Sequence, residues 1–264
     1  MYYKITDLIV ELVNIEKDKI TNFIFFKVDD VSENLVSCQV IKIKHGNMRI
    51  VHGIECFDFC EDICHIVRIN TDYMFIDRKW KKGFVTSNTG SVNLFILQLF
   101  YTHAVQRQII QFHSSLIDFR GHGLMFLGPS GIGKTTQAEL WNQYRDALII
   151  NGDIVFVQET KGAFLGWGTP WHGSSPYCEN TNVPVDALIV LKQDEENSIR
   201  ELSGFEKVSA VSNSVFYPQW LENGMELCLE VLDHLLTSLP VYELCCRPDE
   251  EAVALTEKTI FNMK

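Results

Sequence analysis

The sequence predicts a mixed α/β fold, an α+β core with a mixed sheet, preceded by a small β-rich N-terminal domain over 1–88, with the core over 89–264. Three observations carry this. The stretch Gly128-Pro129-Ser130-Gly131-Ile132-Gly133-Lys134-Thr135 fits the phosphate-binding pattern G-x-x-x-x-G-K-[ST], known as Walker A. It is flanked by an apolar run at 124–127 and by helix formers without Gly or Pro at 136–144, the strand-then-helix context that such a loop needs. Residues 1–85 hold short runs rich in β-branched and aromatic side chains, the signature of strands.

In chain order, strands are expected at 23–28, 35–43, 48–51, 64–69 and 73–76, with His45-Gly46-Asn47 as a hairpin turn between the second and third. Cys56, Cys60, Cys64 and His65 lie close together, but no distant pair completes a tetrahedral zinc set. Spacing by four places the three cysteines on one helix face, so a buried thiol stripe is expected. Residues 92–110 read as a long buried helix packed on the loop-bearing sheet. Residues 112–119 are a strand, turned by Arg120-Gly121-His122-Gly123 into the strand before the loop as an antiparallel neighbour. That hairpin puts His113 near the phosphates, although a histidine there also suits a structural role.

After the loop helix, 147–150 is an apolar strand ending at Asn151-Gly152-Asp153, with 154–157 following. A carboxylate at a buried strand tip beside a phosphate loop is placed to bind Mg²⁺ or act as a base, which selects Asp153 over a simple turn aspartate. The Gly- and aromatic-rich turn at 167–173 is placed to line an acceptor pocket. Residues 183–191 read as a central strand, 198–202 as another, 221–236 as an amphipathic helix and 241–246 as the last strand. Asp249 and Glu250 open a terminal helix.

The expected nucleotide site comprises Gly128, Pro129, Ser130, Gly131, Ile132, Gly133, Lys134, Thr135 and Thr136. Glycines let backbone N–H groups surround phosphate, Lys134 reaches the outer phosphates and Thr135 offers an oxygen to Mg²⁺. The net charge of -11 disfavours nucleic acid and anionic lipid as partners. The apolar stretch at 92–110 is interrupted by Asn93, Gln98, His103, Gln106 and Arg107, too polar for a membrane span. Without a secretory layout at the N-terminus, the eight cysteines are expected reduced in a cytoplasmic protein.

With these pieces in order (FHSSLIDF, LMFLGPSGIGKTT, LIINGDIVFV, WGTPWHG, VPVDALIVLKQ and LCCRPDEEAV), the chain from about residue 112 resembles the HPr serine kinase/phosphorylase family, which shares a core with ATP-dependent phosphoenolpyruvate carboxykinase. The later runs are closest in pattern to stand-alone HPr-kinase-like proteins of peptide natural-product clusters, including lasso-peptide kinases. The resemblance implies ATP and Mg²⁺, with Lys134 on the β- and γ-phosphates, Thr135 and Asp153 at the metal, Asp153 as the base for a serine hydroxyl and His113 beside the transferring phosphate. It implies a peptide or small-protein acceptor and the possibility of a homo-oligomer. Gly152 stands where that family has a second aspartate, and the Arg-Gly-rich signature linked to phosphorolysis is not recognisable. Two other readings remain open: a kinase of a free small molecule such as serine, and a non-catalytic ATP-binding module for peptide maturation or regulation. Arg247 is placed either to contact nucleotide or to cap the surface.

Overall fold

A computed structural model of the chain describes residues 1–29, 31–43, 48–51, 54–57, 62–86 and 90–261. It divides into two compact units, Met1–Ala104 and Val105–Lys264. Among the described residues no helix is long and apolar enough to cross a membrane.

The N-terminal unit contains β1 (Tyr2–Ile5), β2 (Leu8–Val13), β3 (Lys27–Val28), β4 (Val36–Lys42), β5 (Met48–Val51), β6 (Ile54–Phe57), β7 (Ile63–Ile69), β8 (Asp72–Asp77), β9 (Lys82–Val85) and helix α1 (Val92–Ala104). Seven strands form one sheet in the order β3-β1-β2-β4-β9-β8-β7, while β5 and β6 pair separately. Alternation builds it: Leu8, Val10 and Leu12 of β2 are buried, and the residues between them are partly exposed. Helix α1 packs on β4 and brings Leu99 over the sheet. A Cβ on Gly83 would stand 3.3 Å from the Leu99 side chain and 2.6 Å from the Met74 sulfur, so only glycine permits this approach.

Several expectations are corrected here. Of the strand expected at 23–28 only Lys27–Val28 pairs, as β3, because Thr21–Phe26 forms a 3₁₀ helix whose three-residue period buries Phe23 and Phe26 together. The helix predicted over 92–110 ends at Ala104, and its last residues begin the next unit's first strand. It belongs to the N-terminal unit, so the division falls after Ala104 rather than at 88/89. No hairpin joins β4 to β5, since β4 pairs with β2 and β9 and β5 with β6; the predicted turn at His45-Gly46-Asn47 lies outside the described residues. Cys56 and Cys64 sit on strands β6 and β7, which removes the shared helix face; Cys60 lies outside the described residues.

The second unit contains β10 (Ile109–Phe119), β11 (His122–Leu127), α2 (Lys134–Arg145), β12 (Leu148–Asn151), β13 (Ile154–Thr160), β14 (Ala163–Trp167), β15 (Asn182–Gln193), β16 (Ser198–Glu201), α3 (Gly204–Ser212), β17 (Val215–Phe216), α4 (Gly224–Ser238), β18 (Val241–Cys246) and α5 (Glu250–Phe261). The predicted hairpin forms: β10 and β11 pair antiparallel from Phe119↔His122, across a two-residue turn with φ 57° at Arg120 and 88° at Gly121. Two long strands change neighbours along their length. The first half of β10 pairs with β13 and β17, the second half with β11 and β12. Strand β15 runs from antiparallel pairing with β14 to parallel pairing with β11 and β18. Asn151-Gly152-Asp153 lies where β12 and β13 part company along β10.

One face of this sheet carries α2 and α5. Trp141 of α2 and Val253 of α5 are buried with Phe119, Phe126, Ile189 and Leu244, and the Trp141 ring meets Phe119 edge-on at 5.2 Å. Asp249 begins α5 as expected, its Oδ1 accepting the Ala252 N–H at 3.1 Å.

Candidate functional site

The glycines of the 128–135 loop lie in conformations that other residues avoid, with φ +139° at Gly128, +80° at Gly131 and +113° at Gly133. The loop therefore closes tightly between β11 and the twelve-residue α2, whose N-terminal N–H groups and dipole form an anion site. Lys134 is 6% exposed and folds back over the loop, its Nζ donating to the carbonyls of Gly128 at 3.0 Å and Pro129 at 3.1 Å. Burial pushes the Lys134 ammonium below the usual lysine range, opposed by the Asp153 charge. Thr135 Oγ1 donates to the Gly152 carbonyl at 3.1 Å, which ties the start of α2 to the tip of β12.

Asp153 faces this loop. Its Oδ1 lies 3.0 Å from His113 Nε2, and both side chains are partly exposed. The pair is held through the backbone: Ser114 N–H donates to Asp153 O at 2.9 Å, and His113 N–H donates to Ser214 O at 2.8 Å. Lys134, Asp153 and His113, with Ser130, Gly131, Gly133, Thr135, Thr136, Gly152, Ser174 and Ser175, line one cavity of about 260 Å³. The structure thus brings His113 and Asp153, 40 residues apart in sequence, to one cavity with the adjacent pair Lys134 and Thr135. Pro129 and Ile132 face a neighbouring cavity of about 780 Å³ between the loop and α3. A third, of about 380 Å³, lies beyond Thr136 and Gln137 and is bordered by Arg247. Arg247 itself is paired with Asp249 and Glu251, each at 2.9 Å.

Asn151 was not singled out by sequence, yet it organises the carboxylate. It is fully buried; its Oδ1 accepts the N–H groups of Asp153 at 2.9 Å and Ile154 at 3.0 Å, and its Nδ2 donates to the carbonyls of Thr169 at 3.0 Å and Trp171 at 3.2 Å. One side chain therefore fastens the 167–173 turn to the Asp153 tip. Asn151→Ala is expected to cost about 2–3 kcal/mol, because it strands buried donors and acceptors, and denaturant unfolding would measure it. Equal stability of the variant would refute the bracing role.

Glycine at 152 and 173 is sterically required. A Cβ on Gly152 would lie 1.9 Å from Ser175 Oγ, so no second aspartate fits beside Asp153. Gly173, at φ +57°, approaches Asp153 so closely that a Cβ there would lie 2.5 Å from Oδ2. Among the described residues, no group of three or more His, Cys, Asp or Glu side chains could hold a metal ion.

No family model matches the chain, and no curated protein matches it. Among solved structures it is similar to the Hpr(Ser) kinase/phosphatase from Coxiella burnetii, with 9% identity and a TM-score of 0.36, over 58% of this chain and 97% of that one. Similarity at this level leaves the functional reading to the site itself.

Proposed function

We propose that the second unit is a Mg-ATP-dependent kinase that transfers the γ-phosphate to a serine hydroxyl of a peptide or small protein. The observation that carries this reading is the His113–Asp153 pair at 3.0 Å, sharing a small cavity with Lys134. A carboxylate oriented by histidine opposite the loop is placed to take a proton as well as to bind Mg²⁺, which supports transfer over binding alone.

In this reading the N–H groups of 128–136 and the Lys134 ammonium hold the phosphates, and their fixed positions stabilise the charge that develops in transfer. Asp153 takes the hydroxyl proton, while His113 orients its carboxylate and Asn151 holds its backbone. Thr135 and Asp153 would hold Mg²⁺ through their oxygens, and the ion would supply charge neutralisation for the phosphates. The cavity bordered by Arg247 suits the nucleoside end. The 780 Å³ cavity, which shares Gly128 and Pro129 with the loop, offers room for an acceptor larger than free serine. Residues 1–88 are assigned to acceptor or partner contact, and a cytoplasmic location fits a consumer of ATP.

Labelled γ-phosphate should pass from ATP to a serine of a peptide or small-protein acceptor and not to free serine, with Lys134→Ala as the inactive control. Transfer to free serine alone would replace the polypeptide acceptor with a small molecule. In Gly173→Ala the added methyl must displace the Asp153 carboxylate, so turnover is expected to drop by about 10²-fold with nucleotide affinity little changed. Unaltered turnover would remove Asp153 from the reaction.

A further inference from the structure

We propose that Ser174 is an acceptor for the site's own phosphoryl transfer, in cis, an inference that rests on the kinase reading above. The 260 Å³ cavity has two walls: the phosphate loop with the start of α2, and a facing wall of His113, Asp153, Ser174 and Ser175. An acceptor hydroxyl belongs on the facing wall, next to the base. Ser175 is not suited to it, being buried with its Oγ accepting the Tyr177 N–H at 3.3 Å. Ser174 is exposed to the cavity, and among the described residues its hydroxyl has no hydrogen-bond partner.

The backbone holds it there. Ser175 N–H donates to His172 O at 3.0 Å, closing a turn with Gly173 and Ser174 at its centre. The turn is anchored by Asn151 through the Trp171 carbonyl, at 3.2 Å. Gly173 lies against the Asp153 carboxylate, so the residue carrying the free hydroxyl is the immediate neighbour of the one touching the base.

In the step, Ser174 Oγ attacks the γ-phosphorus of a nucleoside triphosphate. The Oγ–P bond forms, the bond from that phosphorus to the bridging oxygen breaks, the nucleoside diphosphate leaves, and the hydroxyl proton passes to Asp153. The product adds a charge of about -2 beside Asp153, in the space where the terminal phosphate of the next nucleotide must enter. The modification is therefore self-limiting.

The test is to incubate the full chain with Mg-ATP and map phosphorylated residues by mass spectrometry. A single phosphoryl group on Ser174 is expected, absent from Lys134→Ala and Ser174→Ala, and recovered as phosphothreonine in Ser174→Thr. Its rate constant should not change with protein concentration; a rate rising with concentration would overturn transfer in cis. In an activity-independent measurement, Ser174→Glu should bind a fluorescent non-hydrolysable ATP analogue roughly tenfold more weakly than wild type, through like-charge repulsion at the terminal phosphate; unchanged affinity would overturn the self-limiting step. ADP binding that depends on Lys134, with phosphate elsewhere or nowhere, would overturn the inference and leave the kinase reading standing. Absence of Lys134-dependent ADP binding would sink both.

Discussion

Asp153→Asn is expected to lower phosphoryl transfer by about 10²–10⁴-fold, the range associated with loss of a positioned proton acceptor. The amide retains the size of the carboxylate and can still contact His113 Nε2, which now lies 3.0 Å from Oδ1. What it loses is basicity. The backbone of residue 153 stays fixed by Asn151 and Ser114, so the fold should change little, as should affinity for nucleotide measured without Mg²⁺. Parallel titration with an ADP analogue and a single-turnover transfer assay would separate the two effects. Normal single-turnover transfer in the variant would end the assignment of Asp153 as base.

Lys134→Met should weaken nucleotide binding and reduce transfer together, the latter by about 10²–10³-fold. Methionine retains much of the aliphatic stem within the nearly buried space that Lys134 occupies and removes only the ammonium. The carbonyls of Gly128 and Pro129 lose their donor, but the loop keeps its glycine conformations, so thermal unfolding should move little. A depressed lysine pKa also gives a direction for pH. As pH rises, Lys134 loses its charge earlier than an ordinary lysine would, and nucleotide affinity should fall with it. Alkaline loss of affinity that persists in Lys134→Met would assign the titration to another group.

The core of the second unit was legible because its signals are local. Glycine spacing gives the loop, Arg120-Gly121 the hairpin, and unbroken apolar runs the buried strands β11, β12, β15 and β18. Lys134, Thr135 and Asp153 could be picked out for the same reason, since each stands at a fixed offset from a strand end. Asn151 could not. Its role comes from four hydrogen bonds to backbone groups that meet only after β12, β13 and the 167–173 turn have come together, and in sequence it is simply an asparagine before a glycine. In the N-terminal unit the apolar run at 21–26 misled because composition alone does not separate a period of two from a period of three.

The change of neighbours along β10 has a consequence for how the molecule opens. His113 is paired with Ile154 of β13, and the next residue, Ser114, is paired with Leu127 of β11 while also holding the Asp153 carbonyl. The backbones of His113 and Asp153 therefore separate only if β10 breaks at its midpoint, where β11, β12 and β13 converge. This end of the cavity keeps its backbone frame unless the centre of the sheet opens, so amide protons of 113–115 are expected among the slowest-exchanging in the unit. In the 171–175 turn, held by Asn151 at one end, only Gly173 and Ser174 are exposed, and their amides are expected to exchange faster. On the proposed kinase reading, the Asp153 backbone would then stay still while the turn beside it exchanges.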